Sequence, residues 1–246
     1  MQNNPAAGVS HLLQGLRLLN QPGLRRFVLI PLLVNIVIFS LLIWFGVGQF
    51  EVLLDCLLPE DRWWSFLSWL LWPLFAIALV LVVFFSFTVL ANLIAAPFNG
   101  LLAEKVEKHL GGGIATEDTD WKALIADIIP SILVELRKLS YFLLRAIPLL
   151  ILFLIPGVNL AAPVLWFLFN AWYMTLEYGD FPMANHGLKF TDQLPRMRKI
   201  RFTAIGFGSG LTLLMLVPVL NFLAMPAAVA GATALWVKEL KPEAGS

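Results

Sequence analysis

The segment with the most chemical content is Asn20-Gln-Pro-Gly-Leu-Arg-Arg-Phe27. Pro22 and Gly23 stop one helix and allow the next to start. Asn20 or the Gln21–Gly23 turn can then present backbone N–H groups at a helix start, where unpaired donors and the helix dipole attract anions. Arg25 and Arg26 add two guanidiniums, whose planar forks suit tetrahedral oxyanions. An unpaired dianion entering hydrocarbon costs on the order of tens of kcal/mol by Born estimates. Donors and cations of this kind suit the mouth of an anion path. The plainer reading is two ordinary arginines beside a membrane helix, and residue types alone favour it. Gly15-Leu-Arg17 repeats the tripeptide without a second arginine and reads as a feature of an amphipathic helix.

Little else in the chain could do chemistry. Gly111-Gly-Gly113 lacks a following Lys-Ser/Thr and reads as a helix terminator. His11, His109 and His186 lie far apart, with no metal-ligand spacing, so no metal and no cofactor are expected. The single cysteine, Cys56, excludes an internal disulfide and any multi-cysteine metal site. No nucleophile elbow and no catalytic cluster occur, so the chain does not read as an enzyme. Gly206-Phe-Gly-Ser-Gly210 and the small run Ala227–Ala234 read as close helix packing. Asn35, Asn92, Asn99, Asn159, Asn170 and Asn221 interrupt apolar stretches. Each singly reads as helix glue, but Asn35, Asn92, Asn159 and Asn221 are also candidates to line a path. Arg145, Glu104, Glu177 and Asp180 flank apolar stretches, and Glu104 is a further pathway candidate, because intramembrane charge hints at function. Arg196-Met-Arg-Lys-Ile-Arg201 is a basic cluster expected to fix topology and meet acidic lipid head groups.

The elements that must position these residues are membrane-like. Of 246 residues, 59% are hydrophobic and 13% charged, with mean hydropathy +0.82. Soluble domains have roughly 45–50% apolar and about 25% charged residues. Net charge is +1, which gives no nucleic-acid reading. No cleavable signal is expected, since the first apolar run begins at Phe27 and is too long for a signal core. Residues 27–50 hold no charge and would make a helix about 36 Å long, enough to cross a hydrocarbon core of about 30 Å. Residues 63–110 read as one long helix that crosses, kinks near Pro97, leaves the bilayer and ends at Gly111–Gly113. Trp63, Trp64, Trp69 and Trp72 cluster at its start like an interfacial belt.

Residues 141–176 and 202–237 are long for one span and short for two. Each breaks in the middle, at Pro156-Gly-Val-Asn159-Leu-Ala-Ala-Pro163 and Pro218-Val-Leu-Asn221-Phe-Leu-Ala-Met-Pro226. Arms of about 23–28 Å suit re-entrant hairpins, whose irregular tips must be packed in protein or face water. Kinked full spans are the alternative. Ser10–Leu19 places Leu12, Leu13, Leu16 and Leu19 at helical spacing. Residues 118–139 start at a cap, Asp118 or Asp120, carry one apolar face and contain Pro130. Both pieces could lie on the bilayer or pack against the long helix. Of 17 Lys and Arg, only Arg62 falls in the loop 51–62. The positive-inside rule puts that loop, with Cys56, outside and both termini, including the tail 238–246, in the cytosol.

The motifs carry a resemblance. Gln21-Pro-Gly-Leu-Arg-Arg-Phe27 followed by Pro31-Leu-Leu-Val-Asn35 is similar to the CysZ sulfate permease family of bacteria. So are Ala91-Asn-Leu-Ile-Ala-Ala-Pro-Phe-Asn-Gly-Leu-Leu-Ala-Glu104, Ala162-Pro-Val-Leu-Trp-Phe-Leu-Phe169 and Gly231-Ala-Thr-Ala-Leu-Trp236. The resemblance covers roughly residues 8–240. It implies sulfate uptake across the inner membrane for cysteine synthesis. It also implies a homo-oligomer, with a hexamer built from dimers as one form. The implied fold has two long membrane helices and hemi-penetrating hairpins. The family's Gly-Leu-Arg sulfate site falls on Gly23, Leu24 and Arg25, with Arg26 beside it.

The resulting expectation is an all-α integral membrane protein, one membrane domain over 1–246. Its partners are sulfate, the lipid bilayer and further copies of itself, with no nucleic acid and no cofactor. The rival readings are a non-transporting sulfate-binding scaffold or regulator, and a transporter of a related oxyanion such as thiosulfate, sulfite or molybdate.

Overall fold

The computed structural model describes residues 3–57, 68–112 and 128–241. It is helical, and no strand occurs among the described residues. The order is α1 (Pro5–Leu18), α2 (Arg26–Leu57), α3 (Ser68–His109), α4 (Ile128–Leu152), a 3-10 turn (Val158–Leu160), α5 (Ala162–Ala184), α6 (Phe190–Lys199), α7 (Arg201–Met215) and α8 (Pro218–Leu235). A π turn, Trp236–Leu240, follows α8. The expected loop residues 58–62, Trp63 and Trp64, the cap at Asp118 or Asp120 and residues 242–246 lie outside the described residues. So do the side chains of Asn35, Cys56, Asn92 and Pro97.

The chain divides into two compact units, residues 26–98 and residues 1–25 with 99–246. The smaller unit holds α2 and most of α3. The α2 helix continues through Leu57, so residues 51–57, expected as loop, are helical. At about 1.5 Å per residue its 32 residues measure about 48 Å. Leu29, Leu33, Ile36, Val37, Leu41, Leu42, Trp44 and Phe45 stand exposed on it. Monomeric soluble proteins rarely expose an apolar surface this wide. Among the described residues, no helix is long and apolar enough to cross a membrane. The α2 and α3 helices enter that statement only in part, because side chains 31, 32, 35, 39, 50, 51, 53–57, 68, 80 and 82–97 lie outside the description.

The larger unit is built on glycine contacts. The N-terminus is tied first: Asn4 caps α1 by accepting the Ala6 N–H at 2.9 Å, with Pro5 opening the helix. The Asn4 N–H donates to Thr203 Oγ1 at 3.0 Å, and the Phe202 N–H donates to Asn3 Oδ1 at 2.8 Å. These bonds hold α1 against α7. The buried face of α1 is Gly8, His11, Leu12, Gly15 and Leu18. Of the expected leucine stripe, Leu12 and Leu19 are buried and Leu16 half-buried, while Leu13 is exposed and Gly8 and Gly15 add the closest contacts. A Cβ on Gly8 would overlap the Thr203 carbonyl, and one on Gly15 the Ala227 carbonyl. So α1 is wedged against α7 and α8. Gly206 and Gly208 meet the backbones of Pro5 and Ala171, the close packing expected of that run.

Two helical hairpins are present. In the first, α4 turns at 153–161 into α5, with Gly157 at φ +84°. The α4 helix runs without a break through residues 139–141, where separate elements were expected. In the second, α7 turns at Leu216 and Val217 into α8. The two Pro-x-x-Asn motifs are not equivalent. Pro156 lies inside its turn, whereas Pro218 opens α8 after the turn, and Pro226 lies inside α8. Proline suits a helix start because its missing N–H is not needed there.

Candidate functional site

The turn between α1 and α2 forms because α1 runs out of helix-compatible residues at Asn20-Gln-Pro-Gly. The Gln21 N–H donates to Leu18 O at 2.9 Å, and the Leu24 N–H donates to Gln21 O at 3.2 Å. Gly23 sits at φ +94°, in the left-handed region. A Cβ there would meet nothing within 4 Å, so the need for glycine is torsional and not steric. Leu24 is buried at 5% exposure. Its side chain anchors the turn, so only its backbone is left for a ligand.

Arg25 and Arg26 are exposed. The Arg25 Nε donates to Asn20 O at 3.1 Å. That bond holds the guanidinium across the turn, and among the described residues it leaves both Nη groups unpaired. Arg26, the first residue of α2, lays its guanidinium 5.1 Å from the Phe27 ring centre. The first N–H groups of any α-helix lack intrahelical partners, so positive dipole and guanidinium coincide at Arg26 in sequence. Gly23→Ala is expected to cost about 1 kcal/mol in strain at this φ. Sulfate affinity, read by isothermal titration, should then fall several-fold while the melting midpoint moves little. An unchanged affinity would separate the turn's shape from binding.

The other candidates are not gathered with the turn. Asn159 and Asn221 are exposed, at the 3-10 turn and near the start of α8. Asn35 and Asn92 lie on α2 and α3 with side chains outside the description. Glu104 is half-buried and pairs with Lys105 at 3.6 Å. Asn99 and Asn170 act as helix glue: Asn99 Nδ2 lies 3.4 Å from Met225 Sδ, and Asn170 donates to Thr212 Oγ1 at 3.0 Å.

Sequence reading missed the main buried charge cluster. Glu107 is fully buried. The Lys241 Nζ donates to its Oε1 at 2.7 Å, and His186 Nε2 lies 2.9 Å from the same oxygen. The three residues are 79 and 134 positions apart, so no local spacing signals them. This pairing clasps the end of the chain onto α3. Lys241→Met leaves a buried carboxylate with His186 alone and should cost about 2 kcal/mol, read as a lowered thermal midpoint.

His11 belongs to a second clasp. It is buried, with Glu239 at 3.9 Å, while the Lys238 Nζ donates to Gln14 Oε1 at 2.8 Å. Burial lowers the His11 pKa below 6.5, and Lys238 adds to this; Glu239 opposes both. The folded chain therefore takes up this proton later than the unfolded chain as pH falls. The stabilising contribution is full above pH 6.5 and is lost below it, down to the folded pKa. His11→Gln should flatten that part of the stability-against-pH curve. An unchanged slope would assign the pH dependence elsewhere.

Comparison with known proteins decides the family. The family described as "Sulfate transporter CysZ/Etoposide-induced protein 2.4" matches residues 11–226. The chain belongs to this family. It is 49% identical over 234 residues to a "Sulfate transporter CysZ" of Pseudomonas fluorescens, covering 95% of this chain and 94% of the relative. Relatives of the same description in Pseudomonas aeruginosa and Pseudomonas syringae pv. tomato are 47% and 46% identical. They cover 95% and 94% of this chain, and 95% and 92% of their own. The CysZ description is that of a transporter and not of an enzyme. The turn at Gly23–Arg25 lies inside the matched range, as do all four asparagine candidates.

Proposed function

We propose that this chain carries sulfate across the bacterial inner membrane, supplying sulfate assimilation and cysteine synthesis, and is not an enzyme. Membership in the CysZ family and relatives described as sulfate transporters over nearly their full length support this reading. The observation that carries the docking site is the left-handed Gly23 turn followed at once by Arg25 and Arg26. Sulfate docks there on guanidinium and backbone N–H groups, as a tetrahedral dianion would.

The α2 helix, with its uncharged run 27–50, is the first span, and α3 crosses and leaves the bilayer. The α7 helix has 15 residues, about 22 Å, against a core of about 30 Å. Its hairpin enters the membrane and returns, as does the hairpin of α4 and α5. Leu154, Leu160 and Leu216, at or beside the two turns, are 72–83% exposed; their apolar side chains suit the membrane interior, with the irregular turn backbone covered by further copies of the chain. Both termini are cytosolic, the segment that follows α2 is external, and copies of the chain assemble into a homo-oligomer. Asn35, Asn92, Asn159, Asn221 and Glu104 line the path.

The test is radiolabelled sulfate uptake into liposomes that contain only the purified full-length protein, with and without a proton gradient. Uptake that needs no gradient supports a channel-like conduit. Sulfate binding without uptake in either condition would overturn transport in favour of a sulfate-binding scaffold. Competition by thiosulfate, sulfite and molybdate separates sulfate from its relatives.

A further inference from the structure

We propose that the elbow between α6 and α7 is a binding surface for the phosphate groups of anionic phospholipids, and that it sets how deep the second hairpin sits. The proposal rests on the membrane reading above. Residues 189–201 hold Lys189, Arg196, Arg198, Lys199 and Arg201 against one acid, Asp192. Arg198, Lys199 and Arg201 are exposed. No carboxylate lies within ion-pair distance of these three among the described residues. Cations elsewhere in this unit do find acids: Lys138 reaches Asp180 at 2.8 Å and Lys241 reaches Glu107 at 2.7 Å. Among the described residues the elbow is therefore an uncompensated positive surface, about 1 kcal/mol per cation in the field of an anionic leaflet.

Its place in the fold points to lipid as the occupant. The α6 helix buries Phe190, Gln193 and Met197, which fixes it to the unit and turns its cations outward. Arg201 opens α7, and its guanidinium lies 4.9 Å from the ring centre of Phe202, which is itself exposed. An arginine over an exposed aromatic ring suits the boundary between head groups and hydrocarbon. From that level α7 runs about 22 Å to the exposed Leu216 and Val217. Apolar tip, aromatic collar and basic base lie in order along one helix. A phosphate layer at the base and acyl chains at the tip match both ends. A free oxyanion would match only the base.

The experiment uses the full-length protein purified in mild detergent. Fluorescent phosphatidylglycerol and phosphatidylcholine are exchanged onto it at fixed ionic strength, and binding is read by energy transfer from its tryptophans. The probe variant is Arg198→Gln, Lys199→Gln and Arg201→Gln together. Its companion is Arg198→Lys with Arg201→Lys, which keeps the charge. Preference for phosphatidylglycerol should fall roughly fivefold per cation removed, return in the lysine variant, and leave sulfate affinity unchanged. A triple variant with wild-type preference overturns the proposal. So does a fall in sulfate affinity with lipid preference intact, which would make the elbow an oxyanion site. A wild-type protein that holds neither lipid defeats the membrane reading instead. Equal retention of both lipids defeats only the elbow. A melting curve of each variant shows that it is folded.

Discussion

Replacing Arg25 and Arg26 together by alanine is expected to lower sulfate affinity about 100-fold or more, with the protein still folded. Charge-assisted hydrogen bonds contribute about 1.5–3 kcal/mol each. Losing two guanidiniums therefore removes at least about 3 kcal/mol, and 1.4 kcal/mol is a factor of ten. The fold has little at stake, since both side chains are exposed. The bond from Arg25 Nε to Asn20 O is exposed too, and surface changes of this kind stay within about 0.5 kcal/mol. Isothermal titration with sulfate and the liposome uptake assay read the effect. A folded double variant with wild-type affinity would remove sulfate from this turn. Arg25→Lys with Arg26→Lys keeps the charge but loses the fork, so an intermediate loss is expected.

The second large effect falls on stability. Gly208→Ala forces a methyl group into the Ala171 carbonyl, where α7 crosses α5. Backbone cannot step aside as a side chain can, so the helices must separate, at about 3 kcal/mol or more. Gly206→Ala meets the Pro5 carbonyl and should behave alike. Gly210→Ala is the contrast. Its nearest neighbour is Leu12 Cδ2 at 3.2 Å, the end of a flexible side chain. The gain in helix propensity, about 1 kcal/mol, offsets that crowding. Thermal midpoints in detergent should drop by many degrees for Gly206 and Gly208 and stay near wild type for Gly210. Equal behaviour of all three would mean that the α5, α7 and α1 contacts are not what holds this unit.

Much of this protein was legible in its sequence, for identifiable reasons. The helical class follows from long apolar runs that only helices can satisfy. The turn at Pro22-Gly23 follows from two residues with narrow conformational meaning, and the two arginines follow it directly. The hairpin at Pro156–Pro163 was readable because proline and glycine act locally. The family is carried by long contiguous motifs.

What the tertiary structure decided is long-range. Leucine spacing gave only part of the face that α1 buries: Leu12 and Leu19 are buried, Leu13 is not, and Gly8 and Gly15 set the contact by letting backbones approach. The second turn lies at Leu216 and Val217, before Pro218, because a proline at a helix start is as comfortable as one in a turn. Leu24 became an anchor only once its side chain was seen buried. The Glu107–His186–Lys241 clasp joins residues with no spacing to betray them, and burial makes their pairing obligatory. Local backbone chemistry wrote the turn and the arginines beside it into the sequence; the packing of distant segments, which depends on which surfaces fit closest, is settled only when the helices meet.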